Sequence, residues 1–303
     1  MKKINFSFKE YNAINLVKNF LFRLITKNSA KLFLRGKDII SISPQIIGKH
    51  EPILTCFIDA MANIGYDDFL IDIGANIGLS SCQNGESFKQ IIAFEPNPLA
   101  ATILKVNTEI AIGTANIEIN EFGLGTENEE LSLIIPKNNW GGAFIKGSQN
   151  NYSEEILAKK DGYKNLNYEN YIEKKVQIKK TTEVLENKFK YLLDVGSSKG
   201  VIKIDVEGME EQILKGIAKT LPSELEVIII FENFDTEFPL ENVINQFKGR
   251  KIKPYKLDRK LPYSSNWLRL IKIIILMTSR IETKLIEINK SSSTTGDIVL
   301  LIN

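Results

Sequence analysis

The stretch FLIDIGANIGLSS, residues 69–81, is an apolar run that opens into a glycine turn and resumes with helix-forming residues. Asp72, Gly74, Asn76 and Gly78 sit in or beside that turn, and the glycines are spaced GxxxG. A dinucleotide turn reads G-x-G-x-x-G and a P-loop ends in Gly-Lys-Ser or Gly-Lys-Thr; neither is present. An acid at the lip of the turn repels phosphate, but it attracts a ligand that carries an ammonium and a sulfonium. S-adenosylmethionine carries both. A second acid, Glu95, ends the run IIAFEPNP, and its two oxygens suit the paired hydroxyls of an adenosine ribose. Alone, Glu95 fits S-adenosylmethionine and NAD equally; together with Asp72 it favours the former.

A third acidic tip lies in VIKIDVEGMEEQILKG, residues 201–216. The run VIKIDV reads as a buried strand, Gly208 breaks it, and Met209, Ile213, Leu214 and Ile217 recur at helical spacing. Asp205 and Glu207 therefore face the crevice at a strand's carboxyl end, where Asp205 is the first candidate for a base and Glu207 the second. A divalent ion on this pair would lower an acceptor's pKa, but no further ligand is identifiable and no metal is assigned. Glu210 reads as a complement to the helix dipole. Glu121 and Phe122, after IEIN, are placed for an adenine slot, and NNWGGAF at 138–144 pairs Trp140 with a flexible turn suited to an acceptor. His50, the one histidine, could act as a base but lies outside these tips. DVGSSKG at 194–200 repeats the glycine spacing, yet it runs straight into a strand rather than a helix and reads as a connecting loop.

These tips need a sheet to hold them. FLIDIG, IIAFEP, IEINEF, LSLIIP, VIKIDV, VIIIFE, KPYKLD and DIVLLIN alternate with helical or polar stretches, which predicts an α/β fold with an open, mainly parallel, doubly wound sheet. Residues 1–60 read as a helical N-terminal extension and 61–303 as the main domain, with insertions near 146–175 and 258–295, the first a loop or helix pair. Ile14, Val17, Leu21 and Leu24 follow helical spacing, on a basic amphipathic helix expected to cover the core rather than lie on a membrane. Residues 265–288 are too short and too charged to span a bilayer, and fit either peripheral membrane contact or an insertion packed on the domain. A net charge of +2 gives no reason to expect a nucleic-acid partner. Cys56 and Cys82 are too few for a disulfide framework and read as buried thiols; with no secretion signal in view, the expectation is a cytoplasmic protein.

In this order and spacing, DIGANIG, FEPNP and KIDVEGMEEQILKG resemble the FkbM family of S-adenosylmethionine-dependent methyltransferases. The resemblance spans about residues 48–255 and takes in HEP at 50–52 and VQIKKTTEVLE at 176–186. His50 stands where the family usually has an aromatic, and Thr182-Glu183 stand where it has Leu-Asp; the latter bears on the acceptor side. The resemblance implies a class I, Rossmann-like methyltransferase fold with helices on both faces of the sheet. It also implies S-adenosyl-L-methionine as cofactor and O-methylation of a hydroxyl on a sugar, glycan precursor or secondary metabolite. Two other readings stay open. One is an NAD-dependent oxidoreductase or nucleotide-sugar enzyme, for which Tyr171 and Lys175 offer a Tyr-x-x-x-Lys spacing. The other is a catalytically silent cofactor-binding relative.

Overall fold

The structure, a computed structural model, describes residues 12–113, 116–147, 167–235, 238–260, 282–290 and 294–303. Helices α1 (Asn12–Ile25), α2 (Ile39–Ile47) and α3 (Pro52–Asn63) precede the first strand. β1 (Phe69–Ile73), α4 (Leu79–Asn84), β2 (Gln90–Phe94), α5 (Pro98–Ala111) and β3 (Ile117–Asn120) follow. The chain then forms β4 (Gly123–Gly125), β5 (Glu129–Pro136), β6 (Phe144–Ile145) and β7 (Tyr171–Lys180). It continues through α6 (Thr181–Asp194), β8 (Lys199–Ile204), α7 (Glu210–Thr220), β9 (Glu226–Asn233) and α8 (Leu240–Ile244). β10 (Ile252–Lys260), β11 (Glu282–Glu287) and β12 (Gly296–Ile302) close the series.

The large sheet runs β11-β10-β12-β9-β8-β1-β2-β3. Its five strands from β9 to β3 are parallel, while β12, β10 and β11 pair antiparallel beyond them. From β1 the chain moves outward through β2 to β3 on one side and later through β8 to β9 on the other. The winding therefore reverses between β1 and β8, and ligands of open α/β sheets bind outside the carboxyl ends of the strands at such a switch point.

Parallel strands covered on both faces have no solvent side, which explains their nearly unbroken apolar runs. Phe69, Ile71, Ile73, Ile202 and Ile204 pack one face against Leu185 and Phe189 of α6 and Ile213 and Ile217 of α7. On the opposite face Leu70, Val201 and Ile228 meet Leu54, Phe57 and Ile58 of α3. The α/β expectation, mainly parallel with helices on both faces, is what the chain adopts.

Several local expectations differ from the structure. LSLIIP is not in the large sheet: β5 belongs to a second, four-stranded sheet of order β4-β7-β5-β6. Its first half is partly exposed, whereas Leu133, Ile134, Ile135 and Pro136 are all buried, so its second half is covered on both faces. Residues 171–175, expected in a loop or helix pair, are the start of β7; residues 148–166 lie outside the described residues. Of the 265–288 stretch only 282–288 is described, and most of it is β11, hydrogen-bonded to β10 at the edge of the large sheet. Cys56 is exposed on α3, because the buried face of that helix is set by Leu54, Phe57 and Ile58, whereas Cys82 is buried. The large apolar side chains of α1 are exposed rather than covering the core.

Candidate active site

β1, β2 and β8 run in register, so alternation decides which side chains share a face. Asp72 pairs laterally with Ala93 on one side and Lys203 on the other. Both ionisable groups thus point to the face covered by α3, where neither meets bulk water: the Asp72 side chain is 0% exposed and that of Lys203 5%. Asp72 Oδ2 accepts a hydrogen bond from Ser81 Oγ of α4 at 2.6 Å, and Oδ1 accepts from Lys203 Nζ at 3.3 Å. The same ammonium lies 3.0 Å from Asp205 Oδ2. Burial alone would lower the Lys203 pKa, but Asp205, Asp72 and Glu51 outweigh it and raise it above the ordinary lysine value. The acid expected at the lip of the turn is therefore the buried end of an Asp72–Lys203–Asp205 chain. Its charge is answered by the protein itself.

The turn after β1 is set by contact with β8. Gly74 has φ +83°, and a Cβ there would lie 1.9 Å from the carbonyl oxygen of Asp205. Only glycine allows this approach. Gly74 N and Ala75 N both donate to Phe94 O, and Asp205 N donates to Ile73 O, which fixes the three strand tips together. Gly78 lets α4 start against α5, since a Cβ there would meet Leu104 Cδ1 at 2.7 Å. Asn76 holds φ +52° between the two glycines.

Glu95 sits at the tip of β2 with the residue 7% exposed. Its Oε2 accepts from Asn76 N and its Oε1 from Asn97 N, each at 2.7 Å. Burial pushes the carboxyl up to about 7 even though both backbone donors favour the charged form. Glu121 and Phe122 are not brought into the cleft. The Glu121 carboxylate is exposed and paired with Lys105 at 2.6 Å, while Phe122 packs edge-on against Phe94 with Lys179 over its ring. Gly123 and Leu124, just beyond them, do line the cleft.

Two chambers open at this end of the sheet. The first, about 670 Å³ of space open to solvent, is mostly apolar and is walled by Phe94, Leu124, Leu133, Phe144 and Met209, with Glu95 and Trp140 as polar points. The second, about 650 Å³, is lined by His50, Glu51, Lys203, Glu232 and Phe234. Gly74, Asn76, Gly141, Asp205 and Glu207 line both chambers. Glu207 is held there by a bridge between its backbone and Phe144 of β6, so the second sheet closes over the first chamber. Asn76 Oδ1 and Trp140 Nε1 are buried without a partner among the described residues, and both residues line the first chamber. Buried polar atoms rarely stay unpaired, so this chamber is shaped for a ligand with its own donors and acceptors.

Sequence reasoning missed Lys203, Ser81 and Glu232, and it set His50 apart from the site. Lys203 was detectable: it is the one charged residue inside VIKI, as Asp72 is inside FLIDI, and a charge in a strand covered on both faces requires a partner. His50 reaches the second chamber only through the packing of α3, beside Glu51 at φ +39°. Burial holds its pKa below the ordinary histidine value; Asp205 opposes that effect and Lys203 adds to it. The segment 194–200 lies at the amino ends of β1 and β8, away from both chambers, where Asp68 Oδ2 accepts from Ser198 N at 2.7 Å and Lys199 N at 3.0 Å. Tyr171 and Lys175 lie on β7 and line neither chamber. Among the described residues no three His, Cys, Asp or Glu side chains are grouped to hold a metal ion.

The chain is similar to known proteins in the same region. Methyltransferase sdnD of Sordaria araneosa is 28% identical over 188 residues, which cover 59% of this chain and 71% of that protein. Among solved structures, precorrin-6y C5,15-methyltransferase from Geobacter metallireducens aligns with a TM-score of 0.40 at 12% identity, over 93% of this chain and 98% of that one. An O-methyltransferase from Bacillus cereus in complex with SAH aligns with a TM-score of 0.36 at 12% identity, over 96% and 88%. The methyltransferase FkbM domain matches residues 72–250, which run from Asp72 in β1 to just before β10 and include every strand tip of the cleft. More than half of the chain lies within that match, and it belongs to the FkbM methyltransferase family.

Proposed function

We propose that the protein transfers a methyl group from S-adenosylmethionine to a hydroxyl of a sugar, glycan precursor or secondary metabolite. One observation carries the reading: two chambers meet along a single rim, Gly74, Asn76, Asp205 and Glu207. Group transfer between two ligands needs them to meet at one point with water excluded.

The residues of the first chamber fit the donor. Glu95 offers carboxylate oxygens to a ribose diol, Gly74 brings its backbone to the rim, and Asn76 Oδ1 and Trp140 Nε1 await polar partners. When bound, S-adenosylmethionine supplies a methyl already activated by its sulfonium, so the protein's task is alignment and proton removal. Asp205 stands at the junction and accepts the acceptor's hydroxyl hydrogen; Lys203, 3.0 Å from it, fixes its orientation. Glu207, on the same rim, orients a second hydroxyl. The four carboxylates lining the second chamber, Glu51, Asp205, Glu207 and Glu232, favour a neutral, hydroxyl-rich acceptor over an anionic one.

A second assignment for the base has its own support. His50 lines the second chamber, and its lowered pKa leaves the imidazole neutral and able to take a proton at pH 7. The two assignments separate in a radiolabelled methyl-transfer assay against a panel of sugars and hydroxylated metabolites. Asp205→Ala is expected to abolish turnover while cofactor still binds. Full activity of Asp205→Ala together with loss in His50→Gln would move the base to His50. Cofactor binding with no acceptor methylated across the panel would favour a silent binding protein.

A further inference from the structure

Residues 12–37 contain six basic side chains, Lys18, Arg23, Lys27, Lys31, Arg35 and Lys37, and no Asp or Glu, and of the six Arg35 is answered by Asp38 at 2.6 Å. α1 occupies the first part of this segment, ahead of the region matched to the family. Its eight large apolar side chains are 49–71% exposed. At about 100° per residue the arc from Leu16 through Phe20, Val17 and Leu21 to Ile25 covers about half of the helix circumference. Lys18 falls beside the Ile25 edge of that arc and Arg23 beside the Leu16 edge, while Asn15, Asn19 and one apolar residue, Phe22, lie on the far side. An apolar half flanked on both edges by cations is the pattern of a helix that lies in a membrane interface, its basic side chains reaching up to the headgroups.

The length and charge of the segment select the occupant. α1 has 14 residues, short of the roughly 20 needed to span a bilayer, and no described helix is long and apolar enough to cross one. A second copy of the chain would cover the apolar arc but would bring two all-basic segments together. A surface of anionic lipid both buries the arc and answers the charge. We propose that α1 docks this protein on an anionic bilayer surface.

Docking would also orient the cleft. The segment after α1 is stitched to the domain by Phe33, whose N–H donates to Asn107 Oδ1 at 2.6 Å and whose carbonyl accepts from Asn107 Nδ2 at 3.2 Å. Arg35 stacks 4.3 Å over Trp140 at the first chamber, and Ile40 of α2 lines the second. Ile39, Ile42, Ile46 and Ile47 extend the exposed apolar surface along α2. The helix that meets lipid is thus continuous with the residues that wall the site.

The test is co-sedimentation of the full chain with vesicles of phosphatidylcholine alone and of phosphatidylcholine mixed with phosphatidylglycerol. Each basic residue near an anionic surface is worth roughly fivefold in partitioning, so Lys18→Glu with Arg23→Glu should weaken binding to the mixed vesicles by more than about tenfold. Leu16→Glu with Phe20→Glu should abolish it, and neither pair should change the melting temperature, since these side chains are exposed. Added salt should weaken binding by the unaltered chain. Three results would overturn the proposal: failure of the unaltered chain to sediment with the mixed vesicles, equal binding to both compositions, or a dimer in solution that Leu16→Glu with Phe20→Glu dissociates while vesicles bind neither form.

Discussion

Asp72, Lys203 and Asp205 form a charged chain under the strand tips, and removing one member exposes the others. Lys203→Met would leave the Asp72 side chain fully buried without its ammonium partner, a loss of about 3–5 kcal/mol in urea unfolding, whereas Lys203→Met with Asp72→Leu should recover much of it. Glu95 carries a pH signature. Burial raises its folded pKa from 4.5 to about 7, so the folded state holds this proton more tightly than the unfolded chain. The stability it confers is complete below pH 4.5 and is lost as the pH climbs through about 7. Unfolding free energies should therefore fall across that window by up to about 3 kcal/mol more in the unaltered protein than in Glu95→Gln. A flat difference between the two would show that Glu95 is not desolvated as described. The chemistry-bearing residues were unevenly legible in the sequence. Glu95, Asp205 and Glu207 end apolar runs and line the cleft as expected, whereas Asp72 looked like a lip residue only until strand alternation turned it under α3. Phe122 is aromatic and adjacent to the cleft, and nothing in its local sequence says that it faces Phe94 instead.

Elements position these groups through contacts that allow no side chain. At Gly74 a methyl would meet the Asp205 backbone, which cannot move without shifting β8. Gly196 shares a positive φ, +84°, but has open space around it. Gly196→Ala should cost only the left-handed backbone penalty of about 1 kcal/mol, whereas Gly74→Ala should add the clash, lower stability by at least about 2 kcal/mol more, and abolish cofactor binding. Denaturant titration and calorimetry on the two variants read this directly; equal costs would mean that the turn is looser than its contacts indicate. The parallel strands were legible because covered strands cannot hide polar residues. The second sheet was not, because β5 and β7 pair across a long intervening segment, and local pattern carries no record of which strand lies beside which.

Across the whole molecule, the reversal of winding between β1 and β8 creates the crevice, and the small sheet and the N-terminal segment convert it into two chambers. The order of elements in the chain foretold the reversal, since helices alternate with the parallel strands. It did not foretell the contribution of His50, Glu51 and Ile40, which arrive from before β1 by tertiary packing alone. Nor did it foretell that α1 would leave its apolar face in solvent, because helical spacing of apolar residues is the same on a covered helix and an exposed one. The central claim is that Glu95 and the Gly74 turn hold an adenosyl donor. Isothermal titration of S-adenosylhomocysteine and of NAD into the unaltered protein and into folded Glu95→Ala tests it most directly. At pH 8, above the raised Glu95 pKa of about 7, two hydrogen bonds to its carboxylate are worth about 1.5–3 kcal/mol each, so saturable binding of S-adenosylhomocysteine should weaken by roughly a hundredfold or more in the variant, with no heat from NAD. Binding of NAD alone, or undiminished affinity of Glu95→Ala for S-adenosylhomocysteine, would contradict the account.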